Sequence, residues 1–215
     1  MRGDIIIVGD HHRRAAATIF AHLEPRIRSS ARPYRITVAG ESGSGKSETA
    51  EAIADECRVK GLSPFVFQQD DYFLLPPRSN DARRREDLSW VGTGEVRLGL
   101  LDDHLEAAAG RSEPITKPLV DYEADRIEEE SVDLSGCDVV IAEGTYTTLL
   151  RNVDYRIFIA RTRVDTLEAR ANRAREPIEP FLERVLEIEH GIIAPHRESA
   201  DAVINRDYEV HFVER

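Results

Sequence analysis

Gly40-Glu41-Ser42-Gly43-Ser44-Gly45-Lys46-Ser47 is the stretch on which the reading of this chain turns. It fits G-x-x-x-x-G-K-[ST], a loop whose backbone N–H groups converge on phosphate oxygens. Ahead of it, Tyr34-Arg35-Ile36-Thr37-Val38-Ala39 is rich in β-branched residues and reads as a buried strand. Behind it, Ala50, Ile53, Ala54 and Cys57 recur at i, i+3, i+4 and i+7, one face of a helix. That order gives the pattern a mechanism. Glycines let the backbone approach closely, and the helix N-terminus adds partial positive charge. Gly40, Glu41, Ser42, Gly43, Ser44, Gly45, Lys46, Ser47 and Glu48 then form a nucleotide-phosphate site. Lys46 reaches the β- and γ-phosphates, and the Ser47 hydroxyl holds Mg²⁺.

The flanking sequence predicts an α/β protein. Pro64 to Gln68, Asp138 to Ala142, Tyr155 to Ala160 and Ala202 to Ile204 read as further core strands, and Tyr208 to Val213 as a weak edge strand. Helical patterns separate them: a first core helix stopped by Gly61, one through Leu98, Leu101, Leu105 and Ala108 stopped by Gly110, one from Asp165, and one over about Glu179 to Glu189. Alternating strands and helices imply a mostly parallel sheet covered on both faces. Residues 1–32 read as an extension, with a strand over Asp4 to Val8 and an amphipathic helix ending near Pro25. Pro76 to Asp87 reads as a mobile surface loop and 111–130 as irregular.

Composition narrows the function classes. The chain has 215 residues, 41% apolar and 32% charged, which suits one medium domain with a sizeable core. Its 40 acidic against 29 basic residues give a formal charge of −11, against a general nucleic-acid or membrane-surface role. Cys57 and Cys137 make neither a disulfide framework nor a metal site. No apolar run suits a membrane span or a signal peptide, so the expected location is cytoplasmic.

Ligands of parallel sheets collect beyond the carboxyl ends of the strands. That rule brings the glycine loop, Asp70 and Glu143 to one rim. Phosphoryl transfer needs a phosphate cradle, a metal, a group that orients the nucleophile and positive charge on the moving phosphoryl. Asp70 and Asp71 are both candidates for the base. Glu143 suits the metal shell with Ser47. Arg170 and Arg173 share a helix face, with Arg175 near its end, and guanidinium groups there suit phosphate clamping. The Arg83-Arg84-Arg85 run is either a substrate-phosphate contact or a solvated face balanced by Asp81, Glu86 and Asp87.

GESGSGKS at 40–47, QDDYF at 69–73, VVIAEG at 139–144, RANRARE at 170–176 and IIAPHRESADAVI at 192–204 resemble, in order, the uridine kinase, phosphoribulokinase and nicotinamide riboside kinase group of P-loop kinases. The resemblance spans about residues 34–210. It implies a P-loop three-layer sandwich with a five-stranded parallel core sheet in the order 2-3-1-4-5. A single kinase unit would cover 33–215, with an arginine-bearing lid at about 165–197. It also implies ATP with Mg²⁺ and γ-phosphoryl transfer to a hydroxyl of a small nucleoside or sugar-type molecule. Asp70 would be the base and belong to the metal site with Ser47 and Glu143; Lys46, Arg170 and Arg173 would complete the catalytic set. Members of the group often self-associate.

One segment departs from the group. Uridine kinases carry P-x-Y-D followed by a histidine, whereas this chain reads Pro118-Leu119-Val120-Asp121-Tyr122-Glu123-Ala124-Asp125-Arg126. Valine cannot replace a tyrosine's hydrogen bond. Acceptor candidates are therefore Asp71, Tyr72, Asp121, Tyr122 and Arg126, with Trp90 to Arg97 as a covering element. The competing class is an ATP-binding switch with little acceptor-kinase activity. A GTPase is disfavoured because no N-K-x-D motif is present.

Overall fold

The apolar runs flanking the glycine loop become neighbouring strands, and their register decides where the site lies. A computed structural model of the protein describes residues 1–3, 5–110, 114–162, 164–165 and 179–214. Its strands are β1 (Tyr34–Gly40), β2 (Pro64–Gln68), β3 (Ile115–Asp121), β4 (Arg126–Val132), β5 (Val139–Glu143), β6 (Tyr155–Ile159), β7 (Ala202–Ile204) and β8 (Val210–Phe212). The helices are α1 (Asp10–Ser29), α2 (Lys46–Val59), α3 (Pro77–Glu86), α4 (Leu98–Gly110) and α5 (Pro180–Ile193), joined by short 3-10 turns.

The main sheet runs β2-β5-β1-β6-β7-β8, parallel except for the last pair. Val38 pairs with Glu143, and Glu143 with Gln68, so β1, β2 and β5 finish at one level. One face packs under α1 and α2, where Ile19, Leu23, Ile53 and Cys57 meet Ile36, Ile141, Ile157 and Ile204. The other face is closed by Phe67, Tyr72, Leu101, Leu105, Val140, Tyr146 and Ile193. This arrangement is the mixed α/β sandwich the sequence predicts.

Several local expectations need correction. Among the described residues of the expected first strand, Ile5 to Val8 are irregular, and Ile5 and Ile7 are 78% and 74% exposed. The expected edge strand forms as β8, paired with β7. Only Val8 reaches the core, beside Tyr208 and Val210. The first helix does not stop near Pro25 but carries it internally to Ser29, because buried Leu23 and Ile27 continue its apolar face. Extension and core are thus one packed body.

Pro76 to Asp87 is mostly helix, not loop. Pro77 stands in the first turn, where a missing N–H costs nothing, and Arg85–Asp81 at 2.7 Å and Arg83–Asp87 at 3.5 Å are i,i+4 pairs along it. The stretch read as irregular contains the antiparallel hairpin β3–β4. Its reversal uses Asp125 in a left-handed conformation, φ 51°. Alternation is masked there because a buried position is occupied by charge: Lys117 is 4% exposed.

Candidate active site

The loop between β1 and α2 is shaped by glycines that could not be replaced. Gly43 and Gly45 have φ of 75° and 95°. A Cβ on Gly40 would come within 2.8 Å of Ser44 Oγ and 2.9 Å of the Ile159 carbonyl. Lys46 Nζ donates to the Glu41 carbonyl at 3.0 Å, holding the ammonium over the loop. Ser47 Oγ donates to Glu143 Oε1 at 3.1 Å, bringing the two expected metal-site groups together across 96 residues. Glu48 is buried in the first turn of α2.

The rim also explains why Q-D-D and E-G occur together. Gln69 accepts the Tyr146 N–H at 2.7 Å, and it lies so close to Gly144 that a Cβ there would meet Gln69 Cδ at 2.8 Å. Gln69 and Gly144 therefore dock the start of the β2 exit onto β5. Asp70 follows Gln69 and opens into a cavity of about 540 Å³ that Ser42 and Gly43 also line. Protein packed around Asp70 desolvates it and raises its pKa above the usual carboxylate range, although the residue is exposed to the cavity; Lys46 opposes the shift and Asp71 adds to it. Burial, with Asp70 nearby, pushes Glu143 up to about 7. Two carboxylates held high and close suit a site that awaits positive charge.

These residues fit a nucleoside triphosphate with Mg²⁺. The cradle is glycine-shaped, buried Ser44 Oγ has no hydrogen-bond partner among the described residues, and a hydroxyl–carboxylate pair stands beside the lysine. Helix α5 closes one side, where His190 Nδ1 donates to Glu41 Oε1 at 2.6 Å. Arg170, Arg173 and Arg175 lie outside the described residues.

The acceptor candidates separate. Tyr122 lines the cavity. Asp71 does not open to it: its carboxylate takes Lys117 Nζ at 2.8 Å, the Val120 N–H at 2.9 Å and the Met1 ammonium at 3.1 Å. It anchors the hairpin to the rim. Tyr72 is wholly buried, its hydroxyl 2.8 Å from His104 Nδ1. Asp121 and Arg126 face each other at 3.9 Å at the hairpin end, where Arg126 also meets Glu128 at 2.6 Å.

Other residues take the places the sequence left blank. Arg84 donates twice to Glu95, both at 2.7 Å, and once to Glu189 at 3.2 Å. Glu95 is fully buried and also accepts from Asn80 Nδ2 at 2.8 Å and the Gly92 N–H at 2.9 Å. Trp90 Nε1 donates to Asn80 Oδ1 at 2.9 Å. Arg85 joins Asp81 and Glu179 and covers the Phe181 ring. Arg84 and Arg85 thus form a cavity wall neutralised by carboxylates, while Arg83 pairs with Glu86 and Asp87. Once 77–86 is known to be helical, the signal is visible: Asn80 and Arg84 are four apart on one face.

Comparisons with known proteins agree with this fold. A family model described as Zeta toxin matches residues 19–107. The bifunctional alpha-galactosidase/sucrose kinase AgaSK of Mediterraneibacter gnavus is 28% identical over 190 residues, covering 82% of this chain; the chain spans only 20% of that relative's length. A uridine kinase of Bacillus mycoides is 26% identical over 185 residues, 80% of this chain and 85% of the relative. A possible uridine kinase from Bacillus stearothermophilus superposes with a TM-score of 0.60 at 20% identity, covering 90% of this chain and 97% of the other. Phosphoribulokinase from Rhodobacter spheroides gives 0.63 at 13% identity, covering 82% and 71%. The chain has the P-loop kinase fold and resembles, in sequence and structure, the group that contains uridine kinase and phosphoribulokinase.

Proposed function

We propose that the protein is an ATP- and Mg²⁺-dependent kinase that transfers the γ-phosphoryl group to a hydroxyl of a small nucleoside or sugar-type molecule. One observation carries this reading: Asp70 and the phosphate loop share a single cavity, so a donor on the loop and an acceptor beside Asp70 would meet. Asp70 would take the acceptor's proton. Lys46 and the loop amides would hold the donor phosphates. Ser47 and Glu143, with Asp70, would hold Mg²⁺, which when bound neutralises charge between the β- and γ-phosphates. Arg170 and Arg173 are proposed to add positive charge to the moving phosphoryl, and Arg175 to the donor phosphates.

The cavity wall favours an uncharged acceptor body. Arg84 and Arg85 are both matched by carboxylates, while Phe73, Leu75, Val120, Tyr122, Phe181 and Leu182 give it apolar surface. Such a mixture suits a ring with hydroxyls. The experiment is ADP release with nucleosides, sugars and phosphosugars as acceptors, followed by mass analysis of the product. Acceptor-dependent turnover with a neutral ring compound supports the reading. ATP binding with no turnover on any acceptor would favour a nucleotide-gated switch.

A further inference from the structure

The N-terminal extension touches the nucleotide site from behind. Gly9 N–H donates to His12 Nδ1 at 3.0 Å, which leaves the ring proton on Nε2. Nε2 lies 3.0 Å from Tyr208 Oη and donates to it. Arg161 Nη1 donates to the same oxygen at 3.1 Å. Tyr208 Oη in turn donates to the Ser44 carbonyl at 2.8 Å. The ring is fixed on its sides as well: His11 and His12 centroids lie 4.3 and 4.9 Å away, and the Arg161 guanidinium lies over it at 5.1 Å.

Two features mark this contact as more than packing. Tyr208 holds φ at 64°, a left-handed conformation unfavourable for a bulky residue and sustained only where the surroundings enforce it. Gly45 is crowded by the same groups: a Cβ there would run into Tyr208 Oη and come within 2.9 Å of His12 Nε2. The glycine of G-K-S is thus required here by its neighbours as well as by its own φ.

We infer that Tyr208, oriented by His12 and Arg161, is a positioning residue for the phosphate loop, and that the N-terminal extension is part of the donor site. A trans peptide directs its C=O and N–H to opposite sides. Drawing the Ser44 carbonyl toward Tyr208 fixes the Gly45 N–H on the side away from it, where phosphate-loop amides must point to bind an anion. The inference rests on the proposed nucleotide-binding role of the loop.

The test is direct ATP titration of full-length Tyr208→Phe and His12→Ala without any acceptor, beside steady-state KM values for both substrates. Loss of the Tyr208 hydroxyl leaves one carbonyl badly held, so ATP binding should weaken roughly tenfold. His12→Ala should weaken it roughly threefold, since Arg161 still holds the hydroxyl. KM for the acceptor should not move, and the melting temperature should fall by no more than about 4 °C. ATP binding within twofold of wild type in both variants overturns the inference. So does a joint rise in both KM values with a larger melting shift, which would mean a general loss of structure. If Tyr208→Phe does not fold, His12→Ala decides alone. If wild-type protein itself fails to bind ATP, the functional reading fails first and the inference with it.

Discussion

The proposed donor and acceptor halves of this molecule are built by different means. The donor half is a local backbone device: nine consecutive residues, Gly40 to Glu48, supply the cradle, the lysine and one metal-site hydroxyl, and three glycines set its shape. The acceptor half is assembled from distant side chains. Glu95 joins Arg84, Asn80 and Gly92, Glu189 comes from α5, and Asp71 seats the hairpin through Lys117. A local device tolerates little change in sequence and so can be recognised. A network of ion pairs can be rebuilt with other residues, which lets one fold carry different specificities.

This contrast can be broken most sharply at Asp70, where the halves meet. Asp70→Asn should cut acceptor-dependent turnover by about 10²–10⁴-fold, measured as ADP release, with a far smaller loss of Mg²⁺–ATP affinity from its proposed place in the metal site. Unchanged turnover would remove Asp70 from the role of base. The next largest effect should come from Glu95→Ala, which leaves the largely buried Arg84 guanidinium with Glu189 as its one carboxylate and takes the acceptor from Asn80 Nδ2 and the Gly92 N–H. It should cost about 3–5 kcal/mol in urea unfolding and raise the acceptor KM while sparing ATP binding. Equal damage to both substrates would mean that the two halves are not independent.

Gly144→Ala tests the seam between them. A Cβ there collides with Gln69, so we expect a loss of about 1–3 kcal/mol and weakening of both substrates together. The smallest effect lies far from the site. Burial alone would raise the Asp154 pKa, but hydrogen bonds from Arg32 and Arg35 hold its carboxyl well below the usual range. A depressed folded value means that this contribution is complete above the unfolded pKa near 4 and fades as pH falls below it. Asp154→Asn should lose roughly 1 kcal/mol at neutral pH, discounted because Arg32 is partly exposed. Its melting temperature should also fall less steeply than wild type below pH 4, and parallel curves would count against the clamp.

What the sequence could and could not reveal follows from the same contrast. The strands beside the loop are legible because runs such as Val139 to Ala142 are apolar on both faces, as buried parallel strands must be. Asp70 and Glu143 are legible because they directly follow or end such strands. The hairpin is not, because Lys117 and Glu130 stand where alternation would be sought, and their pairing at 3.2 Å is visible only in three dimensions. Helix α3 is hidden for a related reason: it is polar all round, and its stability comes from ion pairs rather than from an apolar stripe. Asp71 looks identical in kind to Asp70 in a sequence, yet of the two only Asp70 opens to the cavity.

The hydrogen bonds behind Gly45 have a consequence for how the protein is made. They join residues 12, 44 and 208, so the phosphate loop is braced by groups 196 positions apart. On the ribosome, β1 and α2 emerge early, but the brace cannot close until Tyr208 has left the exit tunnel. A nascent chain halted before that point should carry the complete G-K-S sequence and still bind ATP poorly. Donor-site assembly would then wait on a contact of high sequence separation, later than the folding of the loop's own strand and helix.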